Sequence, residues 1–377
     1  MRKQRWLGAS AALVSLMLVL AACNGGGESP SAAESAAESA GESVAPAAFK
    51  ACQVTDTGGV DDQGFNQNAY EGLTRAESEL GIDIALLEST ADTDYAPNLA
   101  TFAAEGCDLI ITVGFLLGTA TQAAAVLHPD IDYTIVDFGY EAPPPNLKGL
   151  VFDTKSASML QGYLAAGMSD SGIIGTWGGI QIPPVTDFMN GLVAGVNYYN
   201  EQNGTDVSVL GWDAETQTGS FINNFDDEDA GRQLSEGFMQ EGADVIFAVA
   251  GPAGRGGMAA VQDNAAGLDP APLFIGVDVD QFLSVPGFED IMLSSVLKRI
   301  DNAVFEAIEE SMAGGFSADL YVGTLANVGV GMAPFHNFDD QVPQALKDEI
   351  AALQAALIDG SVTVDAFSGQ PAASPAS

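Results

Sequence analysis

The chain has 377 residues, 47% of them hydrophobic, which is too long for one simple core and apolar enough to bury two domains of ordinary size. Twelve basic residues against 51 acidic ones give a formal charge of −39, so the lysines and arginines that would displace counterions from nucleic acid or dock on anionic lipid are lacking. Two histidines and three cysteines leave little material for a metal centre or a cysteine–histidine pair, and neither cofactor nor metal is expected.

The first elements read as an address. A short positive run, Arg2-Lys3-Gln4-Arg5, precedes an apolar stretch from Trp6 to Ala22 that is slightly short for a membrane span and has no stop-transfer flank. Residues 1–22 are therefore read as a secretory signal. Leu20-Ala21-Ala22-Cys23 followed by Asn24 and three glycines is similar to the lipobox of bacterial lipoproteins, in which the cysteine is lipidated. That makes Cys23 the lipidation site and places the protein at the cell membrane, lipid-anchored and facing outside the cytoplasm. Residues 23–48, rich in Gly, Ser, Ala and Glu, read as a disordered tether. Without Arg2, Lys3 and Arg5 the exported part holds 9 basic against 51 acidic residues, a net −42 that suits work outside the cell in screening salt.

From Phe49 onward short apolar runs alternate with helical patterns. Strands are predicted at 50–55, 83–87, 108–113, 132–137 and 148–152, then at 172–177, 206–211, 244–249, 272–277 and 291–297. Between them the apolar spacing predicts helices at 65–80, 95–105, 118–127, 156–168, 184–201, 228–241, 254–266 and 299–313. Strand–helix alternation with continuous apolar strands means parallel sheets covered on both faces. Ten strands divide naturally into two doubly wound α/β lobes. Cys52 and Cys107 open the first and third strands, which are neighbours in such a sheet, so a disulfide and a pair of buried free thiols both stay open.

Ligands of open α/β sheets bind beyond the carboxyl ends of the strands, and those ends are rich in glycine, carboxylates, phenylalanine and one lysine. They include Asp56 through Asn66, Val113-Gly114-Phe115, Asp137-Phe138, Gly178-Gly179, Gly251, Asp278 and Lys298. Carboxylates accept from hydroxyls or ring N–H groups, a lysine donates, and rings stack on flat solutes. Gly251 to Gly257 is no dinucleotide fingerprint and reads as a tight turn into a helix. Asp226-Asp227-Glu228-Asp229 lacks calcium-loop spacing and reads as an acidic helix start. His128 and His336 are solitary in the sequence.

At Asp56–Asn66 the run Asp-x-Gly-Gly-x-Asp-Asp-x-x-Phe-Asn, continued by Gln67-x-Ala69-x-Glu71-Gly72, resembles the basic membrane protein family of lipoproteins, the binding components of nucleoside ABC importers. Asp108 to Phe115, Gly178-Gly179, Phe225-Asp226-Asp227 with Gly231-Arg232, Ile275 to Gln281 and Ser295 to Lys298 extend the resemblance over about 49–340. It implies a type I periplasmic-binding fold with three hinge crossings, a nucleoside ligand with purine nucleosides favoured, an ABC permease partner and no enzymatic step. The expected lobes are 49–154 plus about 279–313, and 155–278 plus about 314–340, with 341–377 a C-terminal helix and tail. By resemblance Phe65 and Phe225 sandwich the base, and Asp56, Asn66 and Asp137 hydrogen-bond it. Asp278 and Lys298 hold the ribose hydroxyls, and Gly251 contributes backbone. Two departures stand out: Gly64 replaces the usual serine and loosens the loop before Phe65, and Phe221 competes with Phe225 for the stacking position. A sugar ligand is the alternative within this fold. An enzyme acting on nucleosides is the alternative outside it, with Asp56, Asp61 and Asp62 then holding a metal.

Overall fold

In a computed structural model of the chain, residues 49–266 and 270–369 are described. The readings of residues 1–48, Cys23 included, and of the last eight residues lie outside them.

The first sheet takes β1 (Lys50–Thr55), β2 (Asp83–Leu87), β3 (Leu109–Val113), β4 (Asp132–Val136) and β5 (Leu147–Phe152). The second takes β6 (Ile173–Gly178) and β7 (Ser208–Leu210); a small hairpin follows, β8 (Trp212–Asp213) with β9 (Thr218–Gly219). The second sheet resumes with β10 (Val245–Val249), β11 (Leu273–Gly276) and β12 (Met292–Lys298). Two short strands, β13 (Tyr321–Gly323) and β14 (Val330–Met332), complete the sheets. Their spatial orders are β13-β5-β4-β3-β1-β2 and β14-β12-β11-β10-β6-β7, parallel throughout except for β14. Both sheets thus reverse order beside their first strand, next to β1 and next to β6, as in doubly wound folds. β3 and β10 are buried at every residue, which is what coverage on both faces demands.

The covering helices are α1 (Phe65–Leu80), α2 (Tyr95–Ala104), α3 (Gly118–Leu127), α4 (Thr154–Met168), α5 (Pro183–Asn203), α6 (Glu228–Gln240), α7 (Gly254–Ala265), the single-turn α8 (Gln281–Ser284), α9 (Ile300–Met312) and α10 (Gln344–Asp359). In α1, Ala69, Leu73 and Ala76 are buried in the core with Phe65 and Leu80 half-buried against it, and Gly81 ends the helix in a left-handed cap. Among the described residues, no helix is long and apolar enough to cross a membrane.

The lobe boundaries differ from those expected. Residues 292–298 pair with β11 and β14 and so belong to the second sheet, not the first lobe; 321–323 pairs with β5 and belongs to the first sheet, not the second lobe. For 321–323 the cause is edge pairing by a three-residue strand, which leaves no periodicity in the sequence; for 292–298 it is parallel pairing with β11, which strand order along the chain does not fix. The chain therefore crosses between sheets after Phe152, after Lys298 and between Gly323 and Val330. Asp153 N–H donates to Gly323 O at 2.8 Å and Arg299 N–H to Gly329 O at 2.9 Å, so the three crossings lie side by side. Beyond them α10 packs on α4, with Tyr163 Oη donating to Glu349 at 3.0 Å. Cys52 and Cys107 form a disulfide with a Cα–Cα distance of 6.1 Å, which closes the choice the sequence left open.

Candidate functional site

Both points of strand reversal open onto one cavity between the two lobes. All eight positions singled out from the sequence line it: Asp56, Phe65, Asn66, Asp137, Phe225, Gly251, Asp278 and Lys298.

The first lobe contributes one corner. Asp56 N–H donates to Val113 O, so the end of β1 is pinned to the end of β3. Gly114, at φ 120°, passes so close that a Cβ there would sit 2.3 Å from Asp56 Oδ2, and only glycine leaves that carboxylate its place. Asn66 Nδ2 donates to Asp56 Oδ1 at 3.0 Å, while Asn66 Oδ1 is buried and accepts no hydrogen bond from the protein. Burial pushes the Asp56 carboxyl up to about 8, against the Asn66 hydrogen bond and with help from the nearby Asp62 and Asp137 charges.

Asp62 holds the start of α1. Its carboxylate accepts from the N–H groups of Gly64, Asn66 and Gln67 at 2.8–3.0 Å. The loosening expected from Gly64 is thereby offset, because Asp62 supplies the cap that no side chain at 64 provides. Asp61 is exposed, so Asp56, Asp61 and Asp62 do not converge as a metal-binding set.

The second lobe contributes Phe225 from the segment before α6. Its carbonyl accepts from Ala253 N–H at 2.9 Å, which ties the ring to the Gly251 turn. Gly179 lies beneath the ring: a Cβ there would be 2.3 Å from Phe225 Cδ1. Phe221 is spent elsewhere, edge-on to Trp212 at 5.8 Å and packed over Gly178. The acidic run at 226–229 forms a helix start as read, with Asp227 accepting from Ala230 N–H. Gly251 to Gly257 likewise forms a turn into α7.

Between the lobes lies Lys298, 2% exposed at the last position of β12. Its ammonium is 2.6 Å from Asp137 Oδ2 and 4.8 Å from the centre of the Phe65 ring, with Phe152 and Phe188 at 5.3 and 5.7 Å. Its backbone N–H donates to Asp278 O. Burial raises the Asp278 carboxyl to about 7, although Lys298 pulls the other way. Asp137 and Asp278 both adopt left-handed backbone, φ 70° and 68°, at the end of a strand. Such conformations are uncommon outside glycine, and here one stands in each half of the site.

Sequence reasoning passed over several residues that line the cavity, among them Ile182, Val185, Phe188 and Pro252, and gave Phe115 a place at a strand end but no role. Phe188 sits within a helical stripe and carried no mark of a site. Phe115 directly follows Gly114 at a strand end, a position that does signal one. His336 is not solitary in space: its Nε2 is 2.7 Å from Asp280 Oδ2, and its ring stacks on Phe282 with centroids 4.0 Å apart.

Two α/β lobes joined by three crossings and sharing one polar–aromatic cavity define a solute-binding protein of the type I periplasmic kind. A solved ABC transporter system solute-binding protein from Aeropyrum pernix K1 has this fold: TM-score 0.76 at 25% identity, covering 84% of this chain and 92% of that one. The family model described as "ABC transporter substrate-binding protein PnrA-like" matches residues 49–359, and the chain belongs to that family, Bmp. It is thus the substrate-binding component of an ABC transporter, whose partners are a small ligand and a permease. Relatives include an ABC transporter nucleoside-binding protein BmpA from Lactococcus lactis subsp. cremoris, 28% identical over 96% of this chain and 99% of its own. An uncharacterized lipoprotein from Pyrococcus abyssi is 30% identical over 87% and 77%.

Proposed function

We propose that the protein captures nucleosides, purine nucleosides foremost, between its lobes and presents them to the permease. The observation that carries this reading is the pairing of one phenyl ring from each lobe, Phe65 and Phe225, on a cavity whose polar lining suits a base and a diol. Each ring stacked on a base contributes about 1–3 kcal/mol. Asn66 Oδ1 offers an acceptor and the protonated Asp56 carboxyl a donor to the edge of the base, joined by Asp137; Asp278 and Lys298 serve the ribose hydroxyls, and the Gly251 backbone lies against the ligand. Among the described residues the cavity is lined by one ammonium, which already pairs with Asp137, beside Asp62 and the burial-raised carboxyls of Asp56 and Asp278. A phosphate would enter this field unpaired, so the ligand is uncharged. Binding favours the closed arrangement of the lobes, which the permease recognises, and no bond of the ligand changes. Lipidation of Cys23 and the tether at 23–48 hold the protein on the outer side of the cell membrane.

A thermal-shift panel on the protein lacking residues 1–23 tests the ligand. Inosine, guanosine, adenosine, pyrimidine nucleosides, free bases, nucleotides and sugars are compared. At a hundred times its dissociation constant a ligand adds about 2.7 kcal/mol, several degrees in midpoint. A rise with purine nucleosides and none with nucleotides is the expected result; a rise with a sugar alone overturns the reading.

A further inference from the structure

Two consecutive carbonyls of the loop before α1 are taken by donors from the other lobe. Arg255 Nη1 donates to Asp62 O at 3.3 Å, and Ser284 Oγ donates to Gln63 O at 2.9 Å. Arg255 stands in the first turn of α7 and Ser284 ends α8, so both donors belong to the second sheet's lobe. Neither lines the cavity.

Each side of the contact is held in place. On the first lobe, Val60 N–H donates to Glu88 Oε1 at 2.8 Å, Gln63 adopts a left-handed φ of 57°, and the Asp62 carboxylate caps α1. On the second, Glu228 Oε1 accepts from Arg255 Nε and Nη2 at 3.0 and 2.7 Å. That pair is fixed by close approach of α6 and α7, where a Cβ on Gly256 would come within 1.8 Å of Glu228 O. The residues after the bonded carbonyls are Gly64, Phe65 and Asn66, so the contact sits at the root of the ring and the amide on the cavity.

We propose that Arg255, oriented by Glu228, and Ser284 form a latch that closes the second lobe onto the loop carrying Phe65 and Asn66 and sets how long a captured ligand is retained. Arg255 is a positioning residue: it acts through the Asp62–Gln63 carbonyls and makes no contact with the ligand. The inference rests on the reading that the cavity takes nucleosides.

The test is the release of tritiated inosine from wild type, Arg255→Ala, Arg255→Lys and Ser284→Ala, measured by rapid filtration after dilution into unlabelled inosine. A charge-assisted bond across a closing surface is lost in Arg255→Ala, so its dissociation rate rises about tenfold while the association rate constant stays within about twofold. Arg255→Lys recovers part of the retention, since a lysine reaches one acceptor without the fork that binds Glu228, and Ser284→Ala shows a smaller rise. An unchanged dissociation rate in Arg255→Ala, or a loss confined to association, overturns the latch. If wild type takes up no inosine, guanosine or adenosine, the ligand reading fails and the latch is judged by small-angle X-ray scattering without added solute. It then predicts a larger radius of gyration for the Arg255→Ala/Ser284→Ala variant than for wild type, and equal radii overturn it.

Discussion

Gly179→Ala places one methyl group under the Phe225 ring while leaving every residue assigned to the ligand unchanged in the sequence. The added Cβ would lie 2.3 and 2.4 Å from Phe225 Cδ1 and Cε1, and 2.8 Å from Asn224 O. Carbon atoms in contact keep about 3.5–4.0 Å, so the ring must retreat by about 1 Å or more. In the protein without ligand this overpacking costs about 1–3 kcal/mol of stability. For a stacked base it removes a contribution of about 1–3 kcal/mol, a weakening of about 5- to 150-fold. The assay is a double-mutant cycle with Phe225→Ala, read by urea unfolding and by titration calorimetry with inosine. With the ring gone the two closest clashes vanish while the approach to Asn224 O at 2.8 Å remains, so Gly179→Ala in the Phe225→Ala background loses most of its effect on binding and part of its effect on stability. Additive losses would refute the reasoning, because they would mean that the methyl acts on something other than Phe225. Unchanged inosine affinity in Gly179→Ala and Phe225→Ala alike would remove Phe225 from the site.

Three further outcomes are expected. The Asp56 carboxyl is raised from 3.8 to about 8, so the native state keeps a proton that the unfolded chain has released. Its contribution is fully present below about pH 4 and is lost as pH rises through about 8, with a ceiling of about 6 kcal/mol. Urea midpoints at pH 5 and 8.5 should fall less steeply with pH in Asp56→Asn, and an identical slope would contradict the burial described. Lys298→Met leaves Asp137 without its cation and should cost about 3–5 kcal/mol in urea unfolding; a loss below about 1 kcal/mol counts against the ion pair. Replacing Cys52 and Cys107 together by alanine frees a loop with a sequence separation of 55, worth about 4 kcal/mol by chain entropy, and a change in urea unfolding below about 1 kcal/mol would argue against that account.

Much of the fold was legible because each strand of the two sheet cores is a buried apolar run and each long helix carries a stripe. Strands β13 and β14 were not, since three residues hold no period and their pairing depends on what lies beside them in space. The lobe of β12 was missed for another reason: it is decided by parallel pairing with β11, and a strand's own sequence does not name its neighbour. The site was legible for a different reason: ligand-facing residues cluster at strand ends, and glycine next to Asp, Asn or Phe marks a place where backbone and side chains crowd. Phe188 and Val185 escaped because a cavity-facing position on α5 looks like any other apolar helix position. The role of Asp62 escaped because three backbone N–H groups cannot be seen in a sequence.

The late edge strands bear on how the chain matures. Residues 321–323 complete the first sheet and 330–332 the second, so neither can be finished until nearly the whole polypeptide is available. Pairing across such separations makes folding slow to begin and cooperative at the end. For a chain that reaches the outer side of the membrane before it folds, as the location proposed above implies, this delay guards against premature folding on the wrong side.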